Sequence, residues 1–366
     1  MPVGTARDSP LLGDESFVRT GLTHDKIRVD WEIHKMRIIV DAMGGDYAPR
    51  VVTEGAVAAA KEYNIQISLV GDVEKIKLFL GKLGYKGDNI SVNPASEVIG
   101  MSEPAATSVR KKRNSSIVVG LNLVKEGLGD AFFSAGNTGA VVCAATLGLG
   151  LLPGIERPGI AIITPSLKGI SIIIDVGANI DAKPMHLLQY GIMADAYFRY
   201  ILNRPNPKIG LLNIGEEESK GTEVIKETRA LFEKSNLNFI GNVEGKDLFS
   251  GRSDIVVCDG FVGNVALKVT ESVVETMQVF LKKHLLSNPL GKLGVLFLKP
   301  SLSSFKKELD YSEYGGAPLL GVNGVVIIGH GRSNAKAIKN AIRVAKEEVE
   351  RKFNEKILEA IRPKNI

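Results

Sequence analysis

One local pattern recurs along this chain and constrains its fold more than any other feature. A short apolar stretch ends in a turn of glycine and polar residues, and a segment with helical periodicity follows. Such turns lie at residues 41–46, 134–139, 175–183, 213–217 and 259–264. Strands that alternate with helices in this way favour a parallel sheet with helices on both faces. The sequence therefore predicts an α/β fold built on a doubly wound, mostly parallel sheet.

The pattern occupies most of the chain, and 366 residues are enough for a large core, either as one α/β unit or as two lobes. We expect a single domain at 36–355, with a helical protrusion at about 265–312. Residues 1–35 show no sustained period and are predicted to be a disordered N-terminal extension. Because Met36 opens the first strand, this extension fits an upstream start or a segment without function. Residues 356–366 are expected to form a C-terminal tail.

Charge and cysteine usage exclude several classes of protein. The net charge of +5, from 46 lysines and arginines against 41 acidic residues, is too mild for a nucleic-acid-binding protein. No apolar run approaches the roughly 18–20 residues that span a bilayer, and the start has no signal-peptide pattern. Cys143 and Cys258 lie in apolar settings that suit reduced thiols, and no Cys/His spacing fits zinc. We therefore expect a cytoplasmic protein without a bound metal or nucleic acid.

The densest group of polar residues follows the apolar stretch at 172–174. Within twelve residues the chain places Asp175, Gly177, Asn179, Asp181, Lys183 and His186. Lys183 and His186 are three positions apart at a helix start, so they point the same way. A cation, an imidazole, an amide and two carboxylates suit the handling of an anion beside a group that changes protonation. The alternative is that Asp175 and Asp181 only cap a turn and a helix.

A second turn is suited to anion binding because it precedes a helix. Its hydroxyl, amide and unobstructed backbone groups belong to Ser134, Gly136, Asn137, Thr138 and Gly139. Helix N-termini bind anions through their first backbone N–H groups. A simple cap by Asn137 or Thr138 would explain only one of these residues.

The first strand ends in a comparable turn that contains Asp41, Gly44, Gly45 and Asp46. Two adjacent glycines are a weak phosphate signal, because most strand–helix turns favour glycine. The turn lacks the G-x-G-x-x-G pattern of dinucleotide-binding folds, which argues against a dehydrogenase.

The other turns repeat the same arrangement further along the chain. Their polar residues and glycines are Asn213, Gly215 and Glu216 after one strand and Asp259, Gly260 and Asn264 after another. The last strand is likewise followed by a turn, with His330, Gly331 and Ser333. Because strand ends of α/β sheets converge over one crevice, we expect the turns at 41–46, 134–139, 175–183, 213–217 and 259–264 to line a single cleft.

Two surface features admit both a structural and a functional interpretation. The basic run at 110–113 is either a solvated helix face or a docking site for an acidic partner. The apolar stretch at 289–300, flanked by Lys292 and Lys299, is too short to span a bilayer. It suits contact with an anionic membrane, and equally packing in the core or against a second copy of the chain.

In order along the chain, these motifs resemble those of the PlsX family of acyl-acyl-carrier-protein:phosphate acyltransferases. The resemblance runs from Met36 to about Phe353. Its most specific parts are Asp-Val-Gly-Ala-Asn-x-Asp-x-Lys-Pro-x-His-Leu from Asp175, Ser-Ala-Gly-Asn-Thr-Gly-Ala from Ser134 and Gly-Gly-Ala-x-Leu-Leu-Gly from Gly315. The segment before Met36 departs from the family pattern, which leaves its role open.

The resemblance implies a Rossmann-like α/β/α sandwich, similar to phosphotransacetylases and isocitrate dehydrogenases, with a protruding helical hairpin. It implies transfer of a long-chain fatty acyl group from acyl carrier protein, which is acidic, to inorganic phosphate. The acyl phosphate would serve phosphatidic acid synthesis. The resemblance further implies no cofactor, a homodimer, peripheral membrane contact near 285–300 and a membrane glycerol-3-phosphate acyltransferase as a partner.

On this resemblance the catalytic candidates are Lys183, His186 and Asn179. Lys183 would orient phosphate or stabilise the oxyanion, and His186 would act as a base toward phosphate or as a donor to the thiolate. The candidate substrate-binding residues are Asp41, Gly44, Gly45, Asp46, Ser134, Gly136, Asn137, Thr138, Asp175, Gly177, Asp181, Asn213, Gly215, Glu216, Asp259, Gly260 and Asn264. Two other functions remain open: a phosphotransacetylase-like enzyme acting on short acyl-CoA, and a non-enzymatic, membrane-associated scaffold of lipid synthesis.

Overall fold

Strands and helices alternate along the chain, as the sequence predicts. The computed structural model describes residues 35–287, 289–308 and 313–362. The expected N-terminal extension at 1–35 lies outside the described residues, apart from Lys35, and so do residues 363–366 of the expected tail.

Eleven strands of the described chain form one sheet, in the order β3-β2-β1-β4-β11-β10-β5-β6-β9-β7-β8. The strands are β1 (Arg37–Asp41), β2 (Gln66–Gly71), β3 (Ile90–Pro94), β4 (Ala131–Ser134), β5 (Gly159–Ser166), β6 (Gly169–Ile174), β7 (Ile209–Leu212), β8 (Phe239–Val243), β9 (Ile255–Val257), β10 (Ala317–Leu320) and β11 (Val325–Ile328). The helices are α1 (Arg50–Tyr63), α2 (Val73–Lys82), α3 (Ala105–Lys111), α4 (Ser116–Lys125), α5 (Thr138–Gly148), α6 (Pro184–Tyr200), α7 (Glu223–Lys234), α8 (Gly260–Leu285), α9 (Pro289–Glu308), α10 (Ala335–Glu350) and α11 (Phe353–Ala360). A short 3-10 turn covers Gly245–Leu248.

The sheet consists of two parallel sets of strands that run in opposite directions. Strands β3, β2, β1, β4 and β11 are parallel to one another. Strands β6, β9, β7 and β8 are also parallel to one another. Between the sets, β10 and β5 pair in antiparallel fashion with their neighbours and reverse the direction. The mostly parallel α/β fold is therefore confirmed.

The reversal divides the predicted site turns between two edges of the sheet, where an edge means a row of strand ends and not an outermost strand. The turns at 41–46 and 134–139 follow strands of the first set, and those at 175–183, 213–217 and 259–264 follow strands of the second. The sequence did not indicate this division, because sequence periodicity does not specify strand direction. The expectation that the five turns line a single cleft stays a prediction. With the average twist of about 20–25° between neighbouring strands, five steps would rotate β6 by about 100–125° relative to β1, so the two edges need not face in opposite directions.

Consecutive residues of a strand belong to different hydrophobic clusters, because successive side chains point to opposite faces of a sheet. Ile39 and Ile173 belong to one hydrophobic cluster, which α4, α5 and part of α8 cover. Ile38 belongs to a second cluster, formed with α1 and α10. Ile172 belongs to a third, formed with α6 and α11. The start of α5 and the first turns of α8 therefore lie on the same face of the sheet.

Two elements near the C-terminal end complete the fold. Helices α8 and α9 contact each other and confirm the predicted helical hairpin. Within the described ranges, no helix combines the length and apolar character needed to cross a membrane. Helix α11 buries Phe353 and Ile357 against α6, so residues 356–360 belong to the fold rather than to the expected tail at 356–366.

The crossing of α1 and α10 provides a test of this packing. An alanine at Gly55 would place its Cβ 2.7 Å from the Ile338 Cβ and 2.8 Å from the Ala335 carbonyl oxygen. We predict that Gly55→Ala lowers the free energy of unfolding by about 1–3 kcal/mol, because overpacking outweighs a gain of about 1 kcal/mol in helix propensity. Urea denaturation measures the change.

Gly81 in α2 is the matched control, because nothing lies within 4 Å of a Cβ added there. Gly81→Ala is expected to raise the free energy of unfolding by about 0.5–1 kcal/mol, through helix propensity and a less flexible unfolded chain. Equal effects of the two substitutions would contradict the close crossing of α1 and α10.

Candidate functional site

A buried carboxylate connects the turns after β1 and β4. Asp41 is buried and accepts hydrogen bonds from the Ser134 hydroxyl at 2.7 Å and from the Met43 N–H at 3.0 Å. Ser134 Oγ in turn accepts from the Gly136 N–H at 3.0 Å. Burial raises the pKa of Asp41, and hydrogen bonds, including the one from Ser134, oppose that rise. Asp41 and Ser134 therefore fasten the two turns to each other.

The close approach of these turns requires glycine at position 44. A Cβ on Gly44 would lie 2.7 Å from the Gly136 nitrogen. Gly45 has a φ of +98°, a conformation that favours glycine. The Asp46 N–H donates to the Gly331 carbonyl oxygen at 2.8 Å. The turn after β11 thus joins the same group.

The side chain of Asn137 is committed to structure. Its Oδ1 accepts from the Ala140 N–H at 3.0 Å and caps α5. Its Nδ2 donates to the carbonyl oxygens of Gly100 (3.1 Å), Met101 (3.1 Å) and Glu103 (3.0 Å). Thr138 and Gly139 in the first turn of α5 are exposed, and the first N–H groups of a helix have no acceptor within it. The start of α5 therefore offers N–H donors beside a neutral cap.

A second buried carboxylate organises the turn after β6. Asp175 is fully buried. It accepts hydrogen bonds from the N–H groups of Ile160 (3.0 Å), Gly177 (3.0 Å), Ala178 (2.9 Å) and Asn179 (2.7 Å). Burial raises the pKa of Asp175, and these hydrogen bonds oppose that rise. This geometry agrees with the interpretation of Asp175 as a turn-capping residue.

Asn179 is also held by other groups of the protein. Its Nδ2 donates to the Pro158 carbonyl oxygen at 2.6 Å and to the Tyr190 hydroxyl at 2.7 Å. Its carbonyl oxygen accepts from the Gly260 N–H at 2.8 Å, which brings the start of α8 onto this turn. A Cβ on Gly260 would lie 2.6 Å from that oxygen, so the approach depends on glycine.

The two predicted catalytic side chains at the start of α6 differ in exposure. The His186 side chain is 7% exposed; its Nδ1 accepts from the Lys183 N–H at 3.1 Å, and its Nε2 lies 3.1 Å from Glu156 Oε2. Burial lowers the pKa of His186, and Glu156 opposes that change. Lys183 and Asp181 are exposed. Of the six polar and glycine residues predicted at 175–186, only these two are exposed.

Several predicted residues at the ends of β7 and β9 hold the backbone or pair with basic groups. The turn after β7 contains Asn213, Gly215 and Glu216. Asn213 Nδ2 donates to the Lys220 carbonyl oxygen at 3.1 Å. Arg252 lies 2.6 Å from Glu216, and its hydrogen bond lowers the pKa of that carboxyl. Asp259 caps α8 by accepting from two N–H groups. Among the described residues, no three His, Cys, Asp or Glu side chains are grouped as metal ligands.

Helix α8 connects the two groups of turns. Near its start, the exposed Asn264 places its amide 3.8 Å from the Cβ position of Gly177. Further along, Glu271 Oε1 lies 3.8 Å from His330 Nε2 in the turn after β11. The interval from Asn264 to Glu271 spans about 10 Å of helix. Turns from both edges of the sheet therefore lie along one face, in a region about 10 Å long.

His330, Lys268 and Glu271 lie in this region but were not among the residues expected at the site from the sequence. Lys268 Nζ lies 3.2 Å from Glu271 Oε2. Burial is the largest cause of the lowered pKa of His330, and Lys268 contributes to it. The sequence contained a signal for His330, which follows a strand and precedes a glycine. It contained none for Lys268 and Glu271, which lie in the middle of a long helix.

Two relatives of similar sequence and one family profile cover most of the chain. The profile described as Fatty acid synthesis protein matches residues 36–356. A phosphate acyltransferase of Geobacter sulfurreducens is 50% identical over 324 residues, which cover 88% of this chain and 94% of that protein. A phosphate acyltransferase of Desulfitobacterium hafniense is 53% identical over 323 residues, or 88% of this chain and 96% of that protein.

Solved structures with the same fold come from more distant proteins. A phosphotransacetylase from Streptococcus pyogenes superposes with a TM-score of 0.59 at 19% identity, covering 86% of this chain and 94% of that protein. The EutD phosphotransacetylase from Staphylococcus aureus gives 0.55 at 15% identity, with coverage of 86% and 94%. These similarities concern the fold alone, and they confirm the predicted phosphotransacetylase-like architecture.

Proposed function

The chain belongs to the fatty acid synthesis protein family, and from that premise we propose that it transfers a long-chain fatty acyl group from acyl carrier protein to inorganic phosphate. It is an acyltransferase of lipid synthesis, since its relatives are phosphate acyltransferases. An oxygen of hydrogen phosphate bonds to the thioester carbonyl carbon, and the C–S bond breaks. The proton of the phosphate goes to the leaving thiolate. The products are acyl phosphate and the free carrier thiol.

The start of α5 is the phosphate position that the geometry favours, and this observation carries the proposal. Helix α5 is capped by the neutral side chain of Asn137, and its first turn is exposed. Helix α8 is capped by the carboxylate of Asp259, which would repel an anion. Helix α6 begins with Pro184, which lacks an N–H group. Backbone N–H groups and the positive end of the helix dipole therefore favour phosphate at α5.

Lys183 is our candidate for the cation that meets the reacting phosphate or the oxyanion. It is exposed at the start of α6, and its backbone N–H is held by His186. His186 is better suited to fix Lys183 than to exchange protons with a substrate, because its ring is buried and its Nε2 faces Glu156. Cations and N–H donors are the groups that stabilise a phosphate or an oxyanion most strongly.

Docking of the acidic carrier on α3 is supported by the basic run at 110–113. The run exposes Arg110, Lys111 and Arg113. Lys112 instead lies 2.6 Å from Glu103, and its hydrogen bond lowers the pKa of Glu103 to about 2. The Glu103 carbonyl oxygen accepts from Asn137, so this surface is joined to the start of α5. Charge complementarity would bring the carrier next to the proposed phosphate position.

Apolar side chains on the helical hairpin support a second copy and a membrane as further partners. Helix α8 exposes a stripe at three- and four-residue intervals: Val265, Val269, Val273, Met277 and Phe280. Helix α9 exposes Leu293, Phe297, Leu298 and Phe305 near the exposed Lys292 and Lys299. The stripe on α8 suits burial in a homodimer, and the mixture on α9 suits an anionic lipid surface. Membrane contact would bring acyl phosphate to a membrane glycerol-3-phosphate acyltransferase.

The reaction predicts thiol release that depends on phosphate. With palmitoyl carrier as the substrate, we expect free thiol and acyl phosphate to appear together when orthophosphate is present. Without orthophosphate, we expect only background hydrolysis. A thiol-reactive dye measures the first product, and trapping with hydroxylamine measures the second.

Other thioesters distinguish the rival functions. Faster turnover of acetyl-CoA than of palmitoyl carrier would favour a phosphotransacetylase-like enzyme. Absence of phosphate-dependent release from any thioester, with vesicle binding intact, would contradict the proposed function and favour a scaffold.

Carrier docking is tested by reversing the exposed charges at 110–113. The combined variant Arg110→Glu, Lys111→Glu and Arg113→Glu should raise the KM for palmitoyl carrier about tenfold or more, because lost complementarity weakens association. Its KM for palmitoyl-CoA should change less than about twofold, since the small thioester does not need the docking surface. Steady-state kinetics measures both values.

The matched control reverses the charge of three exposed lysines on and after α2: Lys77→Glu, Lys82→Glu and Lys86→Glu. If this control raises the KM for palmitoyl carrier as much as the first variant does, docking at 110–113 is refuted. The same holds if neither variant changes it.

Two solution assays can distinguish the proposed roles of the two surfaces of the hairpin. Met277→Glu should shift the protein from dimer to monomer in sedimentation velocity, because a charge in the stripe opposes its burial. Phe297→Glu should reduce co-flotation with anionic vesicles and leave the dimer intact. A wild-type monomer would refute the first assignment, and unchanged flotation of Phe297→Glu would refute the second.

A further inference from the structure

Three large apolar side chains are exposed at the ends of neighbouring strands. Ile180 follows β6, Ile214 follows β7, and Phe261 follows β9 at the start of α8. These residues are 75%, 83% and 62% exposed. Single exposed apolar side chains are common, whereas a group of them marks an interaction surface. We call these three residues the strand-end patch.

The three residues form one patch because their backbones are adjacent. Strand β9 pairs with β6 on one side and with β7 on the other. The Gly260 N–H donates to the Asn179 carbonyl oxygen at 2.8 Å, which brings the backbones of the next residues, Phe261 and Ile180, near each other. Because neighbouring strands are about 4.8 Å apart, three strand ends span about 10 Å.

A cation lies next to the strand-end patch. Lys183 comes three residues after Ile180, is exposed, and is our candidate for the cation that meets the reacting phosphate or the oxyanion. Apolar surface beside a cation suits a molecule with an anionic head and an apolar tail. A long-chain acyl phosphate, the product of the proposed reaction, has this chemistry.

Two other occupants suit the strand-end patch less well. Asp181 directly follows Ile180, and Glu217 comes three residues after Ile214. Both residues are exposed, and their carboxylates would repel an anionic lipid surface. Three side chains of this size offer at most roughly 500 Å², whereas each partner of a stable dimer buries about 800 Å². The patch by itself is therefore too small for a stable interface between two copies.

Building on the proposed function, we propose that Ile180, Ile214 and Phe261 bind the fatty acyl chain of the substrate. The thioester carbonyl lies toward Lys183, and the carrier approaches from α3, which is joined to the start of α5. The chain continues over the strand-end patch, whose span of about 10 Å is about half the length of an extended palmitoyl chain. A hexanoyl chain is too short to cover it. Because each buried methylene group strengthens binding about fourfold, the patch makes the enzyme prefer long chains.

Selectivity for chain length tests this assignment. The combined variant Ile180→Ser and Ile214→Ser removes two of the three apolar side chains and leaves the sequence of α8 unchanged. Steady-state kinetics gives kcat/KM for palmitoyl carrier and for hexanoyl carrier in one preparation, so any loss of folded protein cancels in their ratio. We expect the palmitoyl-to-hexanoyl ratio to fall about tenfold or more, because methylene groups lose their apolar partners. The value for hexanoyl carrier should change by less than about threefold.

Leu167→Ser is the matched control. Leu167 is 88% exposed in the turn between β5 and β6, at the opposite end of β6 from Ile180. The ratio of this control should stay within about twofold of the wild type, because its side chain lies away from the strand-end patch. An equal fall of the ratio in the control would overturn the assignment.

Each other outcome of the combined variant also overturns the assignment. An unchanged ratio with dissociation of the dimer in sedimentation velocity would assign the strand-end patch to a second copy. An unchanged ratio with weaker co-flotation with anionic vesicles would assign it to a membrane, and an unchanged ratio alone would leave it without a ligand role. Equal losses for both chain lengths would show that the two residues support the catalytic turn and not the chain.

The wild-type protein keeps this test separate from the proposed function. If it shows no phosphate-dependent thiol release from either carrier, the proposed function and the acyl-chain site are refuted together. If it shows such release and the combined variant keeps the wild-type ratio, only the acyl-chain site is refuted.

Discussion

Two buried carboxylates at strand ends determine the geometry on which the rest of the site depends. A desolvated carboxylate is costly unless hydrogen-bond donors surround it, and backbone N–H groups of the adjacent turns supply those donors. Asp175 accepts four backbone N–H groups and thereby sets the path of residues 176–179. Asp41 accepts from Ser134 and Met43 and ties two turns together. Their neighbours must be glycine where the backbones meet most closely, as at Gly44 and Gly260.

Helix α8 joins the turns at the two edges of the sheet into one region. The strand reversal at β10 and β5 places the turns of Asp41 and Asp175 at different edges of the sheet. Helix α8 begins on the Asp175 turn and reaches the turn after β11 within its first half. It packs on the same core cluster as α5. The same long helix exposes a stripe of apolar residues and places Glu271, paired with Lys268, near His330.

The sequence was sufficient to predict the strand–turn–helix units and the hairpin. It was not sufficient to predict strand direction, because an apolar β-branched run has the same pattern in either direction. Roles of individual side chains also depended on distant partners. His186 appears reactive in the sequence, yet Glu156, thirty positions earlier, and the Lys183 N–H occupy its ring. Asn137 reads as an anion ligand, yet the 100–103 segment takes its amide protons.

We propose that turns from both edges of the sheet serve one reaction, with phosphate at the start of α5 and α8 facing it. A crystal structure of the protein with bound orthophosphate is the decisive experiment. We expect phosphate oxygens within about 3 Å of the backbone nitrogen of Thr138 or Gly139, on the side that faces α8. Phosphate bound only at the other edge, for example between Lys246 and Arg252, with the start of α5 empty, would contradict it.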